Sequence, residues 1–140
     1  MRPPDAAIPP DERLYRSVAP LGLASDGEHL LPQAVQLPST SCNRERYADP
    51  ESVLVAERPA DTGVAAVCGR DLPPASQSPG GVTYGWRADD VPLDENDAHA
   101  EVRLLRDGQY VEGHRPASKL FQHQLREQLA LRFRIVLAPR

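Results

Sequence analysis

Residues 98–111 read AHAEVRLLRDGQYV and contain the clearest turn signal in the chain. The first half of this segment has the composition of a strand, and Asp107-Gly108 is a dipeptide typical of two-residue hairpin turns. The chain can then return through Gln109-Tyr110-Val111. The segment therefore predicts a hairpin within a mainly antiparallel sheet.

The region after the hairpin predicts the longer helix of the protein. Between Ala117 and Leu131, apolar side chains recur at three- and four-residue spacing, and polar side chains occupy the other faces. Phe133, Ile135 and Leu137 then alternate with their neighbours, which predicts a last strand that joins the sheet.

The chain before the hairpin predicts four more strands and a short helix. The strands are expected at Leu14–Val18, Gln33–Leu37, Gly63–Cys68 and Val82–Trp86. Pro38 is expected to end the second of them. Asp49-Pro50-Glu51 has the pattern of an N-cap, a first-turn proline and a first-turn acid, so a short helix is predicted over Pro50–Glu57.

Length and composition favour a single domain. The chain has 140 residues, 40% of them hydrophobic, and one core is the expectation at this size. Residues 1–12 hold four prolines and three acids without periodicity, which predicts a disordered or draped tail. The predicted domain, residues 13–140, has an irregular loop at about 70–81. It belongs to the α+β class, with a central mainly antiparallel sheet, one short helix and one longer helix.

The formal net charge of −4 is unevenly distributed. Residues 1–102 hold 8 basic and 17 acidic side chains, whereas residues 103–140 hold 8 basic and 3 acidic ones. An acidic chain with a single lysine argues against tight nucleic-acid binding, which only the basic C-terminal segment leaves open. A solvated polar face is the plainer interpretation of that segment.

Location and metal content are also expected from the sequence. The chain has no apolar run near the ~20 residues of a membrane span and no apparent secretory signal, so a cytoplasmic protein without membrane contact is expected. Cys42 and Cys68 lack zinc-ligand spacing and are expected to be free thiols. The histidines have no carboxylate or cysteine at a spacing that suggests a metal, and no metal site is predicted.

Two polar clusters supply the candidate functional residues. His99 and Glu101 differ by two positions, so their side chains share one face of a strand, where an imidazole and a carboxylate suit proton transfer. The run 39–46 supplies hydroxyl, amide and guanidinium groups just before a predicted helix start. The candidate catalytic residues are His99, Glu101 and Ser41. The candidate substrate-binding residues are Arg16, Ser39, Asn43, Arg44 and Arg46.

Each cluster also has an interpretation without catalysis. The hydroxyl groups of residues 39–41 could satisfy a turn or a helix start. His99 and Glu101 could form hydrogen bonds with the loop backbone beside the predicted acidic turn, residues 89–97. Arg44 and Arg46 could hold a phosphate or carboxylate with a bidentate fork, or could pair with neighbouring acids.

Residues 41–54 read SCNRERYADPESVL and residues 98–102 read AHAEV. These motifs resemble those of a family of small uncharacterised bacterial proteins with an S-x-N-R-x-x-Y-x-x-P-E-x-V-L signature and an A-H-x-E-V strand. The resemblance spans most of residues 14–137. It implies the domain boundaries and points to the importance of Ser41, Asn43, Arg44, His99 and Glu101. It does not imply a particular reaction.

A second and looser resemblance comes from the order of three short motifs. An arginine on the first strand, Ser-Thr-Ser and then a strand with x-x-Glu are similar to the arginine–serine–glutamate class of ADP-ribosyltransferase folds. The matching positions are Arg16, residues 39–41 and Glu101, with His99 where that class often has Glu or Gln. The resemblance implies that Arg16 and serine hold NAD as substrate. It also implies that Glu101 stabilises positive charge on the ribose as nicotinamide leaves.

Three functions remain open from the sequence. The first is an NAD- or nucleotide-processing domain of a bacterial defence or toxin system. The second is a non-catalytic partner or immunity-type protein that binds the product of a neighbouring gene. The third is a metal-independent RNase that uses His99 as general acid or base and Arg44, Arg46 and the basic C-terminal segment to hold phosphate.

Overall fold

The strands of this protein pair into one antiparallel sheet. The computed structural model describes residues 1–54 and 62–139. Within these residues the strands are β1 (Arg13–Val18), β2 (Ser39–Arg44), β3 (Gly63–Cys68), β4 (Ser76–Gln77), β5 (Thr83–Asp90), β6 (His99–Arg106), β7 (Gln109–Tyr110) and β8 (Arg134–Leu137). Their order across the sheet is β4-β5-β6-β2-β1-β3-β8, and β7 also pairs with β6. The predicted hairpin turn is confirmed, since Asp107 and Gly108 have φ values of 48° and 83°.

Two α-helices accompany the sheet in the described part of the chain: α1 (Pro50–Val53) and α2 (Lys119–Ala130). The predicted cap of α1 is confirmed, because the Asp49 carboxylate accepts from the amide of Ser52 at 2.8 Å. The predicted continuation of α1 to Glu57 lies partly outside the described residues. In α2 the N-cap is Ser118, whose hydroxyl accepts from the amide of Phe121 at 3.1 Å. The protein is a single α+β domain, as predicted.

Both faces of the sheet carry apolar side chains, and the face that packs against α2 carries most of the core. On one face, Leu14, Cys42 and Val102 pack with Leu129 of α2 and with Phe133. On the opposite face the cluster is formed by Tyr15, Val64 and Ala66, with Val53 and Leu54 at α1. Because β3 contributes to both clusters, its continuous apolar sequence is explained by burial on two sides.

The second strand lies later in the sequence than predicted. Residues 33–37 form no strand; Pro32–Ala34 is a single turn of 3-10 helix. Pro38 precedes β2 instead of ending a strand. The inward-pointing residues of β2 are Thr40, Cys42 and Arg44. Since two of these three are polar or charged, the strand lacks the apolar alternation by which half-buried strands are recognised.

Other boundaries also differ from the sequence prediction. β5 is longer than the predicted strand Val82–Trp86 and continues to Asp90. The predicted loop at about 70–81 is mostly irregular but includes β4. Residues 1–12 contain no helix or strand, yet Arg2 and Asp5 make ion pairs with the body of the domain. Neither helix in the described ranges has the length and apolarity needed to cross a bilayer.

Candidate functional site

The pairing of β2 with β6 brings the two polar clusters together. The amide of Arg44 donates to Ala98, and the amide of Leu104 donates to Pro38. Hydrogen-bonded and non-hydrogen-bonded pairs alternate along an antiparallel ladder. Arg44/Ala98 and Leu104/Pro38 are hydrogen-bonded pairs, so every second pair between them is non-hydrogen-bonded, and side chains approach most closely in such pairs. Those pairs are Ser39/Arg103, Ser41/Glu101 and Asn43/His99. Five of the predicted site residues therefore share one face of the sheet, the polar face: Ser39, Ser41, Asn43, His99 and Glu101.

The Glu101 carboxylate is held through one of its two oxygens. The Ser39 hydroxyl donates to Oε1 at 2.8 Å, and Nε of Arg103 donates to the same oxygen at 3.0 Å. Among the described residues, Oε2 has no hydrogen-bond partner. The side chain is 19% exposed. Glu101 therefore presents a fixed, partly buried carboxylate with one oxygen available to a ligand.

His99 is oriented by the backbone of the loop that precedes it. Its Nδ1 lies 2.8 Å from the carbonyl oxygen of Val91. A carbonyl only accepts, so we assign the proton of the neutral ring to Nδ1. Nε2 is then the basic nitrogen, and it lies 3.4 Å from Oγ of Ser41. This arrangement pairs a hydroxyl with a base whose tautomer is set by a third group.

Asn43 is oriented by the same loop. Its Oδ1 accepts from Nδ2 of Asn96 at 2.7 Å, and Oδ1 of Asn96 accepts from the amide of Ala98. The Asn43 side-chain amide nitrogen is thus left as a donor on the face that carries His99 and Ser41. The loop between β5 and β6 fixes both His99 and Asn43.

Arg16 reaches the site through backbone contacts. The β1–β2 ladder ends at Tyr15/Asn43, one residue before Arg16. Its Nη1 donates to the carbonyl of Ser41 at 2.8 Å, and its Nε donates to the carbonyl of Ala34 at 2.8 Å. Arg16 pairs with Ala65 of the core, so it fixes the backbone at Ser41 from the face of the sheet opposite to the Ser41 hydroxyl.

Arg44 lies on the opposite face of β2. Its Nε and Nη2 donate to the two oxygens of Glu12, and its Nη1 contacts Asp5 at 2.6 Å and Asp90 at 3.2 Å. The hydrogen bonds with Glu12 outweigh desolvation and raise the pKa of Arg44. With 0% of its side chain exposed, Arg44 cannot contact a ligand from solvent, contrary to the sequence prediction.

Arg46 also lies apart from the serine and histidine pairs. Its side chain is 60% exposed, and its guanidinium approaches Asp5 at 3.6 Å, next to the ring of Tyr47. The structure therefore divides the eight predicted site residues into three places. Five lie on the polar face, Arg16 contacts the backbone of Ser41 from the opposite face, and Arg44 and Arg46 belong to the ion-pair cluster at the N-terminal segment.

Three residues at the site were missed by sequence reasoning. Arg103 bridges Glu101 and Asp89, with Nη1 donating to Asp89 at 3.0 Å. Its position two residues after Glu101 was a usable signal, because it places Arg103 on the same face of β6. The contacts of Val91 with His99 and of Asn96 with Asn43 had no such signal in the sequence, because they depend on the conformation of the loop between β5 and β6.

The middle hydroxyl of Ser-Thr-Ser is structural. Thr40 is fully buried, and its Oγ1 accepts from the amide of Gln36 at 2.9 Å and donates to the carbonyl of the same residue at 2.7 Å. Cys42 likewise points into the core, away from His99, and burial raises the pKa of its thiol to about 12. Neither residue belongs to the polar face.

One group outside this face has the composition of a metal ligand set, although the sequence predicted no metal site. Ligand atoms of Asp26, Glu28 and His29 lie within 4.8 Å of one another. Asp26 already accepts hydrogen bonds from the amides of Glu28 and His29 and contacts Nδ1 of His29 at 2.6 Å. These hydrogen bonds within one turn explain why the three side chains lie close together.

Comparison with protein-family models, with curated proteins and with solved structures finds no match for this chain. The polar face is therefore interpreted from its own geometry. Its main features are the Glu101 carboxylate, which is hydrogen-bonded through one of its two oxygens, the Ser41 hydroxyl next to the His99 base, and the oriented amide of Asn43.

Proposed function

We propose that this protein cleaves the bond between nicotinamide and ribose in NAD or a closely related nucleotide. The observation that supports the proposal is the Glu101 carboxylate, which Ser39 and Arg103 hold through Oε1 while Oε2 faces no partner among the described residues. A nucleotide is the proposed substrate; no resident cofactor is proposed.

The chemistry follows from the charge that develops as nicotinamide leaves. The C1′–N bond breaks, its electron pair departs with nicotinamide, and positive charge grows on the ribose. A fixed carboxylate oxygen stabilises that charge without having to reorganise. Glu101 provides this oxygen, and the bond from Ser39 restricts its side chain to one orientation.

The remaining groups of the polar face have supporting roles in this proposal. His99 accepts the proton of the attacking hydroxyl or water at Nε2. The amide nitrogen of Asn43, which has no hydrogen-bond partner within residues 1–54 and 62–139, donates to a ribose or phosphate oxygen. Arg16 departs from the role implied by the ADP-ribosyltransferase resemblance, because it binds the carbonyl of Ser41 and so positions the serine.

The RNase alternative is less well supported by the contacts. It relied on Arg44, Arg46 and the basic C-terminal segment to hold phosphate, but Arg44 and Arg46 lie in the cluster around Asp5, and Arg44 is fully buried. A protein that only binds a partner would not need the Oε2 oxygen of Glu101, which has no hydrogen-bond partner among the described residues. The partner-binding alternative therefore does not explain this feature. Within a bacterial defence or toxin system, the proposed reaction would consume NAD.

The test compares Glu101→Gln with Glu112→Gln, which removes an exposed carboxylate elsewhere on the domain. Purified wild-type protein is incubated with NAD, and released nicotinamide is measured by chromatography. We expect release by wild type and by E112Q, and a decrease of about 100-fold or more for E101Q. Absence of nicotinamide release by the wild type, or equal release by E101Q, would overturn the proposal. Cellular RNA is incubated in parallel, and cleavage that is lost in His99→Ala would favour the RNase instead.

A further inference from the structure

The proposed reaction needs an attacking oxygen, and the polar face itself contains a hydroxyl in position. We propose that Ser41 is the acceptor, so that the protein attaches an ADP-ribosyl group to its own Ser41 while His99 takes the proton. This inference rests on the proposed function and adds the identity of the acceptor.

The position of Ser41 relative to Glu101 supports this assignment. The two residues form a non-hydrogen-bonded pair between β2 and β6. The Cβ atoms in such pairs are about 4.5–5.5 Å apart. A ribose carbon held against Oε2 of Glu101 would therefore lie beside Oγ of Ser41. Ser41 is exposed, so a substrate can reach it from solvent.

The other two hydroxyls of the Ser-Thr-Ser run are already used. Ser39 donates to Glu101, and Thr40 is buried and bonded to Gln36. Ser41 has a single side-chain contact among the described residues, the one to Nε2 of His99 at 3.4 Å. Hydrogen bonds between nucleophile and base are often longer before substrate binds.

His99 can accept the proton because its other nitrogen is occupied. The Val91 carbonyl at 2.8 Å keeps the proton of the neutral ring on Nδ1, which leaves the lone pair of Nε2 directed at Ser41. Arg16 holds the Ser41 carbonyl, so the backbone on which the nucleophile sits is fixed as well.

The reaction balances with NAD alone. The C1′–N bond of NAD breaks and its electron pair leaves with nicotinamide. The bond between Oγ of Ser41 and C1′ forms, and the serine proton passes to Nε2 of His99 and then to solvent. The products are nicotinamide and one Ser41-linked ADP-ribosyl group.

The experiment measures two quantities in the same incubation of the 140-residue protein with NAD: nicotinamide by chromatography and the intact mass of the protein. We expect a mass gain of one ADP-ribosyl group that peptide mapping places on Ser41. Ser41→Ala should lose the adduct, whereas Ser25→Ala, at an exposed serine outside the site, should keep it. His99→Gln should slow its formation by about 100-fold or more. Circular dichroism of each variant confirms that it is folded.

The outcomes separate this inference from the proposed function. Nicotinamide release with unmodified protein, or with the adduct on another residue, would overturn the assignment of Ser41 and leave glycosidic cleavage standing. Absence of both nicotinamide and adduct would remove the proposed function, and the inference with it.

Discussion

Arg44 donates two hydrogen bonds to the carboxylate of Glu12, one from Nε and one from Nη2, each at 2.8 Å. The pair joins β2 to the N-terminal segment, and Asp5 and Asp90 complete the surroundings of the guanidinium. The three carboxylates are balanced by three cations, because Arg2 lies 2.6 Å from Asp90 and Arg46 lies 3.6 Å from Asp5. This cluster therefore depends on every member being present.

Replacing Arg44 with methionine should strongly destabilise the protein. Arg44→Met keeps much of the side-chain volume but leaves Glu12 largely buried without its cation and removes one of the two cations that contact Asp90, and breaking a buried pair typically costs about 3–5 kcal/mol. Arg46→Met is the matched control, since Arg46 is 60% exposed, and it should change the free energy of unfolding by less than about 1 kcal/mol. Urea denaturation at neutral pH measures both. Equal midpoints for R44M and R46M would contradict the buried network.

The same cluster should make the protein sensitive to acid. Burial raises the pKa of Asp90, but hydrogen bonds from Arg2, from the amide of Asp5 and from Arg44 outweigh it and lower the pKa to about 2. A lowered pKa in the folded state means that the unfolded chain binds more protons, so stability falls as the pH falls. The loss from Asp90 is expected between its ordinary pKa of 3.8 and about 2.

Urea midpoints measured across this range at constant ionic strength test the effect. Asp90→Asn should lower stability at neutral pH and should show a shallower decline toward acid, because the titrating group is gone. Asp94→Asn, at an exposed acid, should keep the slope of the wild type. Parallel pH profiles for wild type and D90N would show that Asp90 does not carry the dependence.

The hairpin and α2 could be predicted because their signals are local. Asp107-Gly108 specifies its own turn, and the apolar spacing around Leu125 and Leu129 specifies a buried helix face. The location of β2 could not be predicted in this way. Its register is set by pairing with β1 and β6, and its inward Arg44 is compatible with burial only through acids far away in the sequence.

The site shows the same division between local and distant information. The shared face of His99 and Glu101 follows from spacing along one strand, and Ser39, Ser41 and Asn43 share a face for the same reason. Their meeting depends on a register that places residue 41 opposite residue 101. The orientation of His99 by Val91 depends on a loop conformation, for which the sequence has no periodic signal.

The two cysteines should differ in reactivity in a way that reports on β2. Cys42 is 1% exposed, and burial raises the pKa of its thiol to about 12, so almost none of it is thiolate under ordinary conditions. Cys68 is half-buried and donates to the carbonyl of Asp11 at 3.5 Å. We expect iodoacetamide at mildly alkaline pH to modify Cys68 in the folded protein and Cys42 only after denaturation. Mass spectrometry with peptide mapping distinguishes the sites, and Cys68→Ser should take up no label until it is unfolded. Rapid labelling of folded C68S would mean that Cys42 faces solvent, and the alternation of β2 that places Ser41 on the exposed face would then be wrong.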